Sequence, residues 1–220
     1  MDYGKYQRAA EYMRNCMTDQ VHDCTHIYRV VNYALQILET EPQADAEVVV
    51  LAALLHDIGR DDESSGKSHA ESGSEKAYAF LKDAGYPEET AGHVSDCILT
   101  HRYNSKNSLK TLEAKILYDA DKLDLSGAVG TARTILFGGM IDEPMYLMDE
   151  HGLPRADAAC LFREYLKKLR KLTNVFHTSK AQKIAAQRQK TMDSYFKQLI
   201  REVEKNHKSG LKLIGKYCRQ

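Results

Sequence analysis

Residues Ala46–Arg60 read AEVVVLAALLHDIGR. Within them the unbroken apolar run Val48–Leu55 goes nearly all the way round a helix, so the stretch predicts a helix capped by Asp45 and placed at the centre of its domain. His56 and Asp57 stand side by side at the carboxyl end of that helix. Burying an imidazole beside a carboxylate is costly unless both are paired. A metal ion would satisfy both groups; a self-contained structural pair is the alternative.

Working outward from this helix, the same periodicity recurs along nearly the whole chain. Prolines occur only at 42, 87, 144 and 154, and alternating polar and apolar runs are almost absent, which predicts an all-α fold. Asp23 is expected to cap a helix running to Leu38, with Ile27, Val30, Val31, Ala34, Leu35 and Leu38 on its inner stripe. Further helices are expected over 69–84, 87–101, 112–125, 127–136, 156–172 and 179–205. The polar loops GRDDESSGKS and RYNSKNSLK follow helix ends that carry histidines, a common place for function on a rigid scaffold. GGMIDEPMYLMDEHGLPR, over 138–155, has the length of a lid or binding loop.

The 220 residues suit a single domain, 1–220, with a core over 20–136 and carboxyl-terminal helices over 156–205 packing on it. Thirty-one basic and 31 acidic side chains cancel, so no overall field recommends nucleic acid or a membrane as partner. Five scattered cysteines without C-x-x-C spacing argue against a disulfide framework and against an all-cysteine zinc site, and fit a reducing cytoplasm. No apolar run approaches the ~20 residues of a membrane span, and the charged amino terminus lacks a signal-peptide core. The cationic run KKLRK, Lys167–Lys171, reads as a solvated helix face because no aromatic platform accompanies it. The apolar side of the last helix, from Ile184 to Val203, is explained by packing, with a homodimer surface as the alternative.

Two further segments carry chemistry. In AKILYDADKLDLSGAVG, over 114–130, helical spacing turns Asp121 and Asp124 inward with Leu117, Leu125 and Ala128, and turns Asp119 away. Two inward carboxylates repel unless a cation lies between them or one is neutralised; helix capping or pairing with Lys122 and Arg133 is the other explanation. In QVHDCTHIYRV, over 20–30, H-D-x-x-H resembles a zinc-protease helix, with His22 and His26 as ligands and Glu47 as an available third. That reading needs a glutamate base where Asp23 stands, and leaves LLHDIGR and DADKLD unexplained. The competing set takes one histidine from this helix, His56 and Asp57 from the next, and a carboxylate from the later segment. Two imidazoles with two carboxylates suit Mn²⁺, Fe²⁺, Mg²⁺ or another divalent ion with positions open to water and substrate.

The ordered series HDCTHIYRV, LLHDIGR, SHAESGSEKA, ILTHRY and DADKLDLSGAVGTAR resembles the HD-domain phosphohydrolases, in particular their small single-domain nucleotide pyrophosphohydrolase-like branch. The similarity spans Gln20–Leu136. It implies His26, His56, Asp57 and Asp121 as metal ligands, choosing His26 over His22 and Asp121 over Asp119, with Mn²⁺ first and Fe²⁺, Mg²⁺, Ni²⁺, Co²⁺ or Zn²⁺ as alternatives. It further implies one ion per chain, with His69 and His101 facing the substrate phosphates; a second ion held by those histidines is the alternative.

His22 lies one turn before His26 and can look into the same cavity. Arg60, Lys122 and Arg133 are the nearby cations for phosphate, whereas Arg29 reads as the structural partner of an acidic residue on another helix. Asp57 is expected to be a ligand that also positions water, and His69 or His101 to protonate the departing phosphate. The expected reaction is hydrolysis of a phosphorylated small molecule, a nucleoside triphosphate giving monophosphate and pyrophosphate. A nucleoside monophosphatase, a two-metal phosphodiesterase or dinucleotide hydrolase, and a nucleotide sensor without turnover are the alternatives.

Overall fold

The computed structural model describes residues 3–17, 24–60, 66–102, 108–155 and 157–217. Nine α-helices are found among them: α1 (Tyr3–Cys16), α2 (Cys24–Leu38), α3 (Ala46–Leu55), α4 (His69–Asp83), α5 (Glu88–Thr100), α6 (Leu112–Leu123), α7 (Gly127–Met140), α8 (Leu161–Lys167) and α9 (Ser179–Tyr217). A 3-10 segment, Leu169–Asn174, lies between the last two. Among the described residues no strand forms, apart from one isolated bridge between Met148 and Pro154. The all-α expectation holds.

The chain forms two compact units, the first Met1–Asp124 with Phe176–Ile184 and the second Leu125–Val175 with Ala185–Gln220. In the first, α3 is the hub. Every residue from Val48 to Leu55 is buried, and the helix packs against α1, α2, α5 and α6. Asp45 starts it as the sequence predicts, accepting from the backbone N–H groups of Glu47 and Val48. The buried stripe of α2 is rotated from the expected one: Tyr33 and Ile37 go inside beside Ile27, Val30 and Ala34, while Val31, Leu35 and Leu38 stay half-buried. The rotation turns His26 inward with Ile27. The proposed Asp23 cap lies outside the described residues.

The helix α1 is absent from the sequence-based list because its apolar signal is thin. Ala9 and Met13, one turn apart, are its buried residues, and Tyr12 stacks on Phe80 of α4 at 4.3 Å between ring centroids. Asp119 of α6 is buried although it faces away from Asp121. Its carboxylate accepts from the backbone N–H of His177 and of Thr178 and from the Thr178 hydroxyl, at 2.7–3.0 Å, which holds the start of α9 against α6 within this unit.

In the second unit the helix expected over 156–172 divides into α8 and the 3-10 segment, because the backbone breaks at Lys168 (φ −121°). The Asp149 carboxylate accepts from the N–H groups of His151 and Leu153, closing the loop that the Met148–Pro154 bridge spans. The helix α9 runs twelve residues beyond the expected end at 205, to Tyr217.

The close approach of α4 to the turn after α3 fixes one end of the first unit. A Cβ at Gly59 would lie 2.3 Å from the His69 carbonyl oxygen and 2.4 Å from the Gly73 nitrogen, both backbone atoms that cannot step aside. We expect Gly59→Ala to lower the unfolding free energy by about 2–3 kcal/mol in urea titration. Gly92→Ala on α5, where the added methyl meets nothing within 4 Å, serves as the control and raises stability by about 0.5–1 kcal/mol.

Candidate metal centre

Five elements of the first unit converge on one buried cluster. His26 comes from α2, His56 and Asp57 from the turn that ends α3, His69 from the first residue of α4, His101 from the C-cap of α5, and Asp121 from α6. The capping box of α4, Ser68 with Glu71, fixes where His69 enters. All four histidines and Asp57 are buried. Their imidazoles follow one another, His26 to His56 and His56 to His101 edge to face at 5.3 Å between centroids, and His101 to His69 tilted at 5.5 Å.

Asp57 divides the cluster in two. Its Oδ2 lies 3.6 Å from His26 Nε2 and 3.7 Å from His56 Nε2, while its Oδ1 lies 3.8 Å from His69 Nε2 and 3.7 Å from His101 Nε2. Asp121 Oδ1 closes the first group, 3.6 Å from His26 Nε2 and 3.9 Å from His56 Nε2. Two triads, His26–His56–Asp57 and Asp57–His69–His101, each bring one donor atom per residue close enough to share a cation.

The donor atoms are prepared for a cation rather than for each other. His26 Nδ1–H donates to Asp124 Oδ2 at 2.8 Å, His56 Nδ1–H to the Ala53 carbonyl at 2.9 Å and His101 Nδ1–H to the Ile98 carbonyl at 2.6 Å. Each bond fixes the tautomer, so three Nε2 lone pairs point into the cluster. His56 Nε2 and both oxygens of Asp57 are buried with no hydrogen-bond partner among the described residues. Orphaned acceptors at this depth are costly, and a divalent cation is the species that satisfies a lone-pair imidazole and a carboxylate together. The residues therefore fit a metal ion.

Electrostatics agree with that state. Burial pushes the pKa of His56 down to about 4, which keeps its imidazole neutral and able to ligate. Burial on its own would raise the Asp57 carboxyl, but its neighbours, His56 and Arg60 first and then His101 and His26, hold it well below the carboxylate range. For Asp121, burial is likewise outweighed, here first by Lys122 and then by His56.

The remaining sequence-predicted residues are placed unequally. Arg60 brings Nε to 3.2 Å from Asp57 Oδ1, an ion-pair distance without hydrogen-bond geometry. Lys122 holds Asp121 Oδ2 at 2.5 Å and lies over the Tyr118 ring. Arg133 belongs to the second unit, and His22 lies outside the described residues. The role that sequence reasoning missed is that of Asp124. Its carboxylate takes a fork from Arg29, Nε at 2.7 Å and Nη2 at 2.9 Å, while accepting from His26. The signals were present separately: an inward Asp124 one turn from Asp121, and an Arg29 in need of an acidic partner.

The comparisons with known proteins follow this geometry. The HD domain family model matches residues 24–126, a span containing every residue of the cluster. YpgQ of Bacillus subtilis (strain 168), an uncharacterized protein, is 29% identical over 198 residues, covering 87% of this chain and 90% of that one. A crystal structure of Bacillus subtilis YpgQ in complex with ADP is similar at a TM-score of 0.73 and 28% identity, covering 90% of this chain and 95% of that one. An HD-superfamily hydrolase from Bacillus thuringiensis is similar at a TM-score of 0.72 and 28% identity, covering 92% of this chain and 98% of that one.

The buried neutral His56 sets a pH dependence for the metal-free protein. Its folded pKa of about 4 is below the 6.5 of the free group, so between these values the unfolded chain binds more protons. Stability is fully present above pH 6.5 and is lost as pH falls towards 4, by an amount on the order of 3 kcal/mol. Urea titrations in chelator should show this loss, and His56→Gln should flatten the dependence across that window.

Proposed function

The chain belongs to the HD-domain superfamily, and from that premise we propose that it is a divalent-metal-dependent phosphohydrolase acting on nucleotides, cleaving a triphosphate to monophosphate and pyrophosphate. The observation that carries the reading is the orphaned acceptor set, His56 Nε2 and both Asp57 oxygens, facing His26 and Asp121 inside one buried cluster. The ADP bound in the YpgQ crystal structure supports a nucleotide as the ligand class.

In this reading His26, His56, Asp57 and Asp121 hold the ion, Mn²⁺ by the mixed nitrogen and oxygen donors. When bound, it polarises a phosphoryl oxygen and acidifies a water molecule. Asp57, through the oxygen turned towards His69 and His101, positions the attacking water. His101, whose Nδ1 is committed to the Ile98 carbonyl, presents Nε2 to the departing pyrophosphate and delivers a proton from that atom when protonated. Arg60 is part-exposed at the edge of the cluster and takes a phosphate oxygen, and Lys122 adds a second cation beside Asp121. Asp124 and Arg29 position His26 rather than touch substrate.

The Asp57–His69–His101 triad favours one second reading, a two-ion site of the phosphodiesterase or dinucleotide hydrolase type. Asp57 would contribute to both sites, since its Oδ2 faces His26 and His56 and its Oδ1 faces His69 and His101. Stoichiometry separates the two: one ion per chain fits the first reading, while two ions, with the second lost in His69→Ala, fit the other.

Chelator-stripped, Mn²⁺-reloaded protein is expected to release pyrophosphate and monophosphate from nucleoside triphosphates, and Asp121→Ala to lower that rate by about two orders of magnitude. Binding of Mn²⁺ with no product from any nucleotide would move the assignment to a sensor. In Asp124→Asn we expect Mn²⁺ affinity to fall about 10- to 100-fold by titration calorimetry, because the amide offers His26 Nδ1–H a weaker acceptor and leaves Arg29 without its fork.

A further inference from the structure

The far end of α9 has the composition of an element built to meet another surface. From Leu211 to Tyr217 every residue is exposed, and Leu211, Leu213, Ile214 and Tyr217 are each more than half exposed. Scattered apolar residues on a surface are ordinary, but four within seven residues of one helix form a contiguous patch. Leu211, Ile214 and Tyr217 follow at three-residue steps and Leu213 lies one turn before Tyr217, so they share one side of the helix.

The other side is cationic. Lys205, Lys208, Lys212 and Lys216 follow at steps of three and four residues, and no acidic residue occurs between Lys205 and Tyr217. Lys208 is three residues before Leu211 and Lys216 three after Leu213, so cations border the apolar side at both edges. This segregation stands out in a chain whose 31 basic and 31 acidic residues otherwise cancel.

We propose that Lys205–Tyr217 is a peripheral docking element for an anionic lipid surface. An amphipathic helix lies in the plane of such a surface, with its apolar side at the acyl boundary and its bordering lysines at the headgroups. Lysine stems cover apolar surface while their ammonium groups reach phosphates, and a tyrosine ring suits the same interface. Charge decides against a neutral surface, since each lysine near an anionic leaflet adds to binding. Area decides against a second copy of the chain: four side chains fall far short of the ~20–30 residues a side that a stable interface uses. A nucleic acid would use the lysines but gain nothing from the aliphatic side. The attachment is reversible and lies on the surface, for no described helix is long and apolar enough to cross a membrane.

Co-sedimentation of the full chain tests this, using vesicles of phosphatidylcholine alone and of phosphatidylcholine with phosphatidylserine. Binding to the anionic vesicles is expected to exceed that to the neutral ones by about tenfold or more, and to fall in high salt. It should be lost in Lys212→Glu/Lys216→Glu and, independently, in Ile214→Ser/Tyr217→Ser, both at exposed positions where helicity by circular dichroism stays unchanged. Equal sedimentation with both vesicle types, or with neither, overturns the proposal. So does a dimer that Ile214→Ser/Tyr217→Ser dissolves in the absence of lipid binding, which would assign the surface to a second copy. RNA binding that needs the lysines but not Ile214 and Tyr217, again without lipid binding, would assign it to nucleic acid.

Discussion

Asp57 is a fully buried, ionised carboxylate whose two oxygens have no hydrogen-bond partner among the described residues, and the rest of the first unit is arranged around that deficit. A carboxylate at this depth is tolerated only where charge answers it. His26 and His56 face one oxygen and His69 and His101 the other, at the end of the buried helix α3. Removing the negative charge would leave four imidazoles facing one another. Removing the imidazoles would leave the charge stranded. A divalent cation would complete the cluster, satisfying the carboxylate and the imidazole lone pairs together.

Geometry of this kind needs rigid supports, and the fold provides them at one remove. The Arg29 fork fixes Asp124, Asp124 fixes His26, and carbonyls of α3 and α5 fix His56 and His101. Each support comes from within a turn of its own helix or from the helix packed beside it, so the Nε2 atoms are aimed before any ligand arrives. The tight contact of Gly59 with α4 does the same for His69. Arg60, part-exposed at the margin, combines contact with Asp57 and access to solvent.

Much of this was legible in the chain. An apolar run with no polar side, ending in His56–Asp57, can only be a central helix with a paired polar end, and α3 is that helix. The one-turn spacing of Asp121 and Asp124 and the turn of Asp119 away from them follow from helical period; that Asp119 is nonetheless buried, against His177 and Thr178, does not. What period could not supply was partnership across elements. Asp124 and Arg29 are 95 residues apart and Asp119 and Thr178 are 59 apart, distances over which local pattern carries no information. The choice of His26 rested on resemblance, and the described fold turns it inward through a rotation of α2 that the aliphatic residues alone did not specify. The amino-terminal helix and the last three turns of α9 escaped because so little of their surface is buried.

The central claim is that Asp57 is held in the fold as a ligand. Titration of chelator-stripped wild-type protein and Asp57→Asn with Mn²⁺, followed by calorimetry and by the electron paramagnetic signal of the free ion, measures it directly. At least one ion should bind per wild-type chain, and that binding should be lost in Asp57→Asn with the helical content of the variant retained. No binding by the wild type, or the same binding in a folded Asp57→Asn, would contradict it.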